Sequence, residues 1–195
     1  MVSEKNSDDN NIGIKKMIFK KTKIEGAWVI DPELIQDMRG HFKRAWCKEE
    51  FTKNNIDFIP VQTNMVFSIK AGTIRGMHFQ ENPATEAKLV RCTKGKIYDV
   101  VLDIRQDSMT FGQWFATELS AENGRMLLIP ERCAHGCQSL VNETEIYYMA
   151  SEFYTPAAVN GIRFDDPAFN IRWPLDSKIV SEQDRNWPPY RKKES

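Results

Sequence analysis

Long apolar runs are missing from this sequence. No stretch of about 18 apolar residues occurs, so we expect no membrane-spanning helix. The first residues, Met1 to Gly13, are polar and acidic and do not resemble a secretory signal. We therefore expect a cytoplasmic protein with no membrane partner, whose four cysteines are reduced.

An excess of charge of either sign is also missing. The 195 residues include 27 basic and 27 acidic side chains, so the formal net charge is zero. A chain that binds nucleic acid as a whole usually carries a basic excess, and we expect no nucleic-acid partner. A local cationic pocket for phosphate groups is compatible with this balance.

Helical periodicity is scarce, and strand patterns dominate. Only Lys48 to Asn55 and Ser177 to Arg185 are predicted as short helices. Lys96 to Arg105 alternates clearly, with Tyr98 and Val100 on one face and Asp99 on the other. Many short strands separated by turns predict an antiparallel sandwich or barrel. The other predicted strands are residues 63–70, 87–93, 125–129 and 144–151.

The chain length fits one folded domain. A single barrel or sandwich can reach about 250 residues, and 41% of this chain is hydrophobic. Residues 1–13 have few apolar groups and predict a disordered leader. The remaining residues, 14–195, are predicted to form the single domain.

Histidine is rare, which makes the surroundings of each one informative. The three histidines are His41, His78 and His135. If residues 72–80 are extended, His78 shares a face with Gly76, which would leave room for a ligand beside the imidazole. The alternative is a histidine that is simply hydrogen-bonded in a core.

The stretch around His135 invites a metal interpretation. Cys133, His135 and Cys137 would share one face of an extended chain. The spacing is not that of a zinc site, where ligands usually occur in pairs such as C-x-x-C or H-x-x-x-H. We therefore expect no metal at this position.

Three further polar positions lie within apolar or turn sequences. Lys88 lies in an apolar strand, where it either reaches for water or serves a site. Tyr147 and Tyr148 face opposite ways, and Tyr148 is expected to point inward, as packing or as a functional group. Asp166, followed by a proline, is also compatible with a simple turn.

Several short motifs follow one another in a fixed order along the chain. They are Asp37-Met-Arg-Gly40, Gln62-Thr-Asn64, Arg75-Gly-Met-His-Phe-Gln80, Lys88-Leu-Val-Arg91, Asp99-Val-Val-Leu-Asp-Ile-Arg105, Phe111-Gly112, Ile129-Pro130, Ala134-His-Gly136, Asp166-Pro167 and Trp173-Pro174. Taken together, they resemble the dTDP-4-dehydrorhamnose 3,5-epimerase family over about residues 17 to 190. The resemblance is specific because many motifs occur in the same order.

The resemblance implies a cupin-type β-barrel or jelly roll, a homodimer, and no metal or other cofactor. It implies an isomerase that epimerises a nucleotide-linked 4-keto sugar by removing a proton next to the ketone. The implied catalytic residues are His78 as the base, Asp166 as its carboxylate partner, Lys88 near the enolate and Tyr148 as the acid. The implied substrate-binding residues are Arg39, Arg75, Gln62, Asn64, Gln80 and His135.

Some positions depart from the family pattern. This chain has Arg132, Cys133 and Cys137 around its Ala-His-Gly motif, and Glu86 where a glutamine is frequent. The motifs leave open inversion at C3, at C5 or at both. The alternatives of another class are a metal-dependent cupin oxygenase or isomerase, using His78, His135 and Glu86, and a non-catalytic sugar-binding cupin.

Overall fold

A computed structural model describes residues 16–177 and 179–190. The predicted leader at residues 1–13 lies outside the described residues. The predicted all-β class with a few short helices is confirmed.

The elements, in chain order, are β1 (Met17–Lys21), β2 (Trp28–Pro32), β3 (Ile35–Asp37), β4 (Gly40–Phe42), α1 (Lys48–Lys53), β5 (Gln62–Ser68), β6 (Thr73–Gln80), β7 (Lys88–Lys94), β8 (Lys96–Asp103), β9 (Trp114–Ser120), β10 (Met126–Ile129), β11 (Cys133–Ser139), β12 (Thr144–Ala150), a 3-10 turn (Pro156–Ala158), β13 (Val159–Gly161), β14 (Ile179–Val180) and α2 (Glu182–Arg185).

Two sheets form the body of the fold. The first has the strand order β1-β2-β10-β7-β12-β5, and the second has the order β13-β6-β11-β8-β9, with β14 added beside β6. Both sheets contribute apolar side chains to one buried cluster that includes Val90, Val101 and Leu127, so the main core lies between them. The hairpin β3–β4 forms a separate two-stranded sheet.

The outer faces of both sheets are also covered. Phe51 of α1 is 1% exposed and packs with Leu89 and Met126 against the first sheet. Ile162 and Phe169, from the chain after β13, cover the second sheet. Strands such as β8 are therefore buried on both faces, and the polar residues in their alternating pattern point into the protein rather than into water.

The predicted helix at Ser177 to Arg185 is shorter than expected. Its first part includes the short strand β14, which pairs in parallel with β6, so that Ile179 lies opposite Thr73. The helix α2 then begins after Ser181, whose Oγ accepts a hydrogen bond from the backbone N–H of Asp184. This arrangement places α2 against β6.

Strand β6 contains a register shift where it pairs with β11. His78 lies opposite His135, but Arg75 lies opposite Cys137, so that β6 has one residue more than β11 between these pairs. A Cβ added to Gly76 would lie 2.4 Å from the Cα of Gly136. The space at Gly76 therefore admits the neighbouring strand, and the prediction that it admits a ligand is wrong.

Replacing Gly76 by alanine should destabilise the fold strongly. Gly76 has φ +132°, and the added methyl group would collide with rigid backbone. The matched control is Gly40→Ala, because Gly40 has φ +127° but a Cβ there would have no atom of the described residues within 4 Å. We expect Gly76→Ala to lose at least about 2 kcal/mol more than the control, measured by chemical denaturation. Equal losses in both variants would contradict this account of the bulge.

Candidate active site

A cavity of about 600 Å³ opens between the two sheets. Strands β5, β7 and β12 of the first sheet form one wall, and β6, β11 and α2 form the other. Eight of the residues predicted from the sequence line it, and two do not. The lining residues are Gln62, Asn64, Arg75, His78, Gln80, Lys88, His135 and Tyr148.

Strand alternation and the bulge explain this convergence. In the first sheet Tyr148 lies opposite Asn64 on one side and opposite Val90 on the other, so these side chains share the inner face. In the second sheet the register shift breaks the alternation of β6. As a result, Arg75 and His78 both point into the cavity although they are three positions apart, an offset that puts two residues on opposite faces of a regular strand.

The imidazole of His78 is held by Asp184. The distance between His78 Nε2 and Asp184 Oδ1 is 2.6 Å, and the Asp184 side chain is 6% exposed. The second carboxylate oxygen accepts the backbone N–H of Gly76 at 3.2 Å. Burial alone would raise the pKa of Asp184, but the hydrogen bond and the charge of His78 outweigh burial and lower it. Asp184 is therefore held as a carboxylate beside the ring.

The prediction that Asp166 partners His78 is wrong. Asp166 is buried, but its carboxylate accepts the backbone N–H groups of Ala168 and Tyr190, at 2.9 Å and 2.8 Å. These bonds fix the turn that follows β13 and attach the C-terminal segment to it. Asp166 therefore has a structural role outside the cavity.

Sequence reasoning missed Asp184 altogether. It lies 106 residues from His78, and it looks like an ordinary acidic residue in the first turn of a helix. The available signal was the pattern Ser181-x-x-Asp184, which marks a helix start. That pattern predicts the helix but not the strand beside which the helix lies.

His135 has a carboxylate partner as well. Its Nε2 lies 2.8 Å from Oδ1 of Asp99, which is fully buried on β8. The other oxygen, Asp99 Oδ2, is buried and has no hydrogen-bond partner among the described residues. Two histidines on the neighbouring strands β6 and β11 thus line the cavity, and each is paired with a buried aspartate.

The opposite wall carries a lysine and a tyrosine. The ammonium of Lys88 is paired with the carboxylate of Glu86 at 2.6 Å, and both side chains are 11% exposed. Tyr148 packs partly against the main core. Burial raises the pKa of the Tyr148 phenol, the nearby charge of Glu86 raises it further, and a hydrogen bond with Asn64 acts in the opposite direction. Tyr148 is therefore held in its protonated form.

Two of the glutamines are engaged with the loops around the cavity. The Gln80 amide donates to the carbonyls of Ala84 and Phe153 and accepts the N–H of Thr155, so its polar groups are occupied by backbone. Gln80 thus supports the cavity wall that it lines, and its predicted contact with a ligand stays a prediction. Gln62 accepts the N–H of Tyr154 and donates to Asn64, at 3.0 Å and 3.2 Å.

The two predicted arginines lie in different places. Arg75 lines the cavity and donates to Ser68 Oγ and to the carbonyl of Phe67. Arg39 lies outside the cavity, at the tip of the β3–β4 hairpin, where it pairs with Asp37 and its side chain is 85% exposed. The prediction that Arg39 joins this site is therefore wrong for a single copy of the chain.

A second and larger cavity, of about 760 Å³, lies beside β13 and the segment around Tyr190. Its charged lining groups are Glu81 and Arg132, and Arg132 is already paired with Asp107 at 2.7 Å. No histidine, lysine or carboxylate pair lines it among the described residues. The groups that can move protons are concentrated in the smaller cavity, which we therefore take as the active site.

Side chains that could bind a metal are not clustered among the residues that the structure describes. Within residues 16–177 and 179–190, no group of three or more histidine, cysteine, aspartate or glutamate side chains is arranged to hold a metal ion. Cys133 and Cys137 are buried free thiols. Burial raises the pKa of Cys133 to about 12 and raises that of Cys137 as well.

The fold and the cavity define a cupin-type enzyme with paired acid–base residues, and comparisons identify its family. The family model described as dTDP-4-dehydrorhamnose 3,5-epimerase matches residues 21–192. The dTDP-4-dehydrorhamnose 3,5-epimerase of Methanothermobacter thermautotrophicus is 43% identical over 177 residues, which are 89% of this chain and 94% of that protein.

Solved structures agree with this match. The epimerase of Bacillus anthracis, with TDP and PPi bound, has a TM-score of 0.87 and 39% identity, and covers 90% of this chain and 100% of its own. The Legionella pneumophila enzyme, in complex with dTDP-4-keto-L-rhamnose, has a TM-score of 0.82 and 34% identity, and covers 87% of this chain and 90% of its own.

The chain belongs to the dTDP-4-dehydrorhamnose 3,5-epimerase family. It is an isomerase that epimerises a nucleotide-diphosphate-linked 4-keto sugar. The cupin-type fold predicted from the sequence is confirmed. Among the described residues, no helix combines the length and the apolar character that crossing a membrane requires.

Replacing Asp184 by asparagine should slow the reaction by at least about 10²-fold, because the charged partner that holds His78 is lost. The matched control is Asp166→Asn, which should retain most of the activity and lose stability instead. Turnover of a nucleotide-linked 4-keto sugar and the melting temperature should be measured for both variants. Full activity in Asp184→Asn together with an inactive but folded Asp166→Asn would show that Asp166, and not Asp184, supports His78.

Proposed function

We propose that this enzyme inverts C3, C5 or both in a dTDP-linked 4-keto-6-deoxy sugar, with His78 as base and Tyr148 as acid. The observation that carries the proposal is the placement of the two groups. His78 and Asp184 belong to one wall of the cavity, and Tyr148 belongs to the facing wall. A sugar ring bound between the walls would meet the base on one face and the acid on the other.

The first step needs a base that works near neutral pH. A proton on the carbon next to a ketone is weakly acidic, and a histidine held by a carboxylate can remove it. The hydrogen bond to Asp184 engages Nε2, so Nδ1 is the nitrogen available to take the proton. Asp184 stabilises the imidazolium that forms.

Removal of the proton moves negative charge onto the ketone oxygen. A buried ammonium near that oxygen stabilises the enolate more effectively than water does, because it need not reorganise. Lys88 is the lysine that lines the cavity in the described chain. We therefore propose Lys88 as the group that stabilises the enolate.

Inversion needs a proton delivered to the opposite face of the enolate carbon. A phenol can donate it, provided that it is protonated when the enolate forms. The raised pKa of Tyr148 meets that condition. The tyrosinate that results can recover a proton from solvent through the open side of the cavity.

The diphosphate needs cationic donors at the mouth of the cavity. Arg75 is exposed and lines the cavity, and an arginine fork fits phosphate oxygens well. The relatives with bound TDP or a dTDP-sugar support a thymidine nucleotide as the carrier. The cytoplasmic location expected from the sequence stays a prediction.

The division of labour predicts different losses in two variants. His78→Ala should lose both product formation and the exchange of solvent deuterium into recovered substrate, because no proton is removed. Tyr148→Phe should retain exchange, since His78 can return a proton to the same face, but inversion should fall by about 10²-fold or more. Both quantities can be followed by NMR in heavy water.

Tyr147→Phe is the matched control, because Tyr147 is the neighbouring tyrosine and does not line the cavity. It should invert at close to the wild-type rate. Wild-type inversion by Tyr148→Phe would exclude Tyr148 as the acid.

We further propose that the enzyme is a homodimer. Strand β5 lies at the edge of the first sheet. Its outward side chains Met65 and Phe67, with Ile69 directly after the strand, form an apolar row and are 64%, 48% and 67% exposed. Edge strands with an exposed apolar row pair readily with another chain. The β3–β4 hairpin adds Met38, which is fully exposed.

A second copy would also account for Arg39. This arginine lies outside the cavity of its own chain, on a hairpin that is not part of either main sheet. We propose that the hairpin of one copy lies against β5 of the other and brings Arg39 to the diphosphate in the partner's cavity. Each active site would then need both copies.

Mixed dimers test this arrangement directly. Arg39→Ala and His78→Ala chains, each carrying a different affinity tag, should be co-expressed and the mixed dimer isolated. If Arg39 acts across the dimer, one site of the mixed dimer contains both an intact His78 and an intact Arg39, whereas the other site lacks both. About half of the wild-type rate should therefore return. No recovery in an isolated mixed dimer would show that Arg39 does not act across the interface, and a monomeric wild-type protein would exclude the dimer itself.

A further inference from the structure

Glu86 is an acidic side chain inside the active site that has no role in the steps above. It lies just before β7, its carboxylate is 2.6 Å from the Lys88 ammonium, and both side chains are 11% exposed. Burying such a pair costs desolvation energy for both charges. A buried pair of this kind is therefore expected to serve a function besides stability.

The strand register brings this pair close to Tyr148. Lys88 lies opposite Ala150 on β12, and Tyr148 lies opposite Val90 on β7. Tyr148 is therefore the diagonal neighbour of Lys88 on the same face of the sheet, at a Cα separation of about 7–8 Å. The charge of Glu86 is among the causes that raise the pKa of the Tyr148 phenol, and Lys88 brings a positive charge to the same face of the sheet.

The reaction places opposite demands on this part of the cavity. The enolate needs a positive charge, which Lys88 supplies, whereas a positive charge beside a phenol favours the tyrosinate, which cannot donate a proton. Asp184 is engaged with His78 and does not balance Lys88. The titratable and charged groups that line the cavity are Arg75, His78, Glu86, Lys88, Cys137, His135, Tyr148, Tyr154 and Asp184.

We propose that Glu86 is a positioning residue that holds the Lys88 ammonium in place and balances its charge, so that Tyr148 stays protonated until it donates to the enolate. This inference rests on the roles of Lys88 and Tyr148 proposed above. The direction of the electrostatic effect agrees with it: after burial, the charge of Glu86 is the next largest contribution that raises the pKa of Tyr148.

The direct test is the titration of Tyr148 in Glu86→Gln, a variant that removes the charge and nearly conserves the shape. The tyrosinate absorbance of the free protein is followed against pH, and subtraction of the same curve with Tyr148→Phe isolates Tyr148 from the other four tyrosines. The Tyr148 titration should move to lower pH by about half a unit or more, since Lys88 is no longer balanced.

Glu118→Gln is the matched control. Glu118 also pairs with a lysine, Lys96 at 3.4 Å, but the pair is exposed and Glu118 does not line the cavity. The Tyr148 titration should be unchanged in this variant. Glu86→Asp retains the charge, and its titration should stay closer to wild type than that of Glu86→Gln.

The kinetic test separates inversion from exchange. In Glu86→Gln, inversion should begin to fall at a lower pH than in wild type, while deuterium exchange into substrate continues at that pH, because exchange needs the base but not the acid. At alkaline pH the variant should thus behave like Tyr148→Phe. A merely structural role for Glu86 would reduce both rates at every pH.

An unchanged or upward-shifted Tyr148 titration in Glu86→Gln would overturn the proposal. If Glu86→Gln does not fold, the same titration is measured in Lys88→Gln. This variant leaves the charge of Glu86 unbalanced, so the Tyr148 titration should move to higher pH. The absence of a shift in Lys88→Gln would overturn the proposal as well. The titration requires no substrate, so its result is independent of whether the proposed epimerase activity is found.

Discussion

The hydrogen bond between His78 and Asp184 joins parts of the chain that are 106 residues apart, and the active site depends on it. Several features hold Asp184 in position. They are the parallel pairing of β14 with β6, the capping bond that the Asp184 N–H donates to Ser181 Oγ, and the bond that the Gly76 N–H donates to the second carboxylate oxygen. A buried carboxylate without such partners would be costly. Trp187 also contacts the His78 ring in an edge-to-face arrangement, with centroids 6.5 Å apart, so the imidazole has a second neighbour besides Asp184.

The inner faces of the sheets combine two functions. Their middle part carries the apolar side chains of the main core, such as Val90 and Val101, while polar residues occupy the side on which the cavity opens.

Each buried acid on β8 has a partner of its own. Asp99 pairs with His135, and Asp103 pairs with Arg105, which lowers the pKa of Asp103 despite its burial.

The sequence predicted the elements whose patterns are local. Strand β8 was predicted from the alternation of residues 96–105, and α1 from residues 48–55, each with an error of about two residues at the far end. The convergence of His78, Lys88 and Tyr148 followed from the motifs of the family. These residues lie on central strands, where position along the strand determines which side chains reach the cavity.

Features that depend on distant contacts were not predictable in the same way. Asp166 lies in a conspicuous Asp-Asp-Pro turn, whereas Asp184 resembles a surface residue of a short helix until β14 docks beside β6. The bulge at Gly76 depends on the close approach of Gly136. Arg39 does not line the cavity of its own chain, so a single copy gives it no role in the site.

The central claim is that proton removal and proton return occur on opposite faces of the sugar, through two different groups. A single-turnover reaction of the wild-type enzyme in heavy water tests it most directly, with NMR analysis of the first product formed. The account predicts that every inverted carbon carries deuterium, because the incoming proton derives from Tyr148, which has exchanged with solvent. Inverted product that retains the original substrate proton would mean that one group both removes and returns it, and would contradict the account.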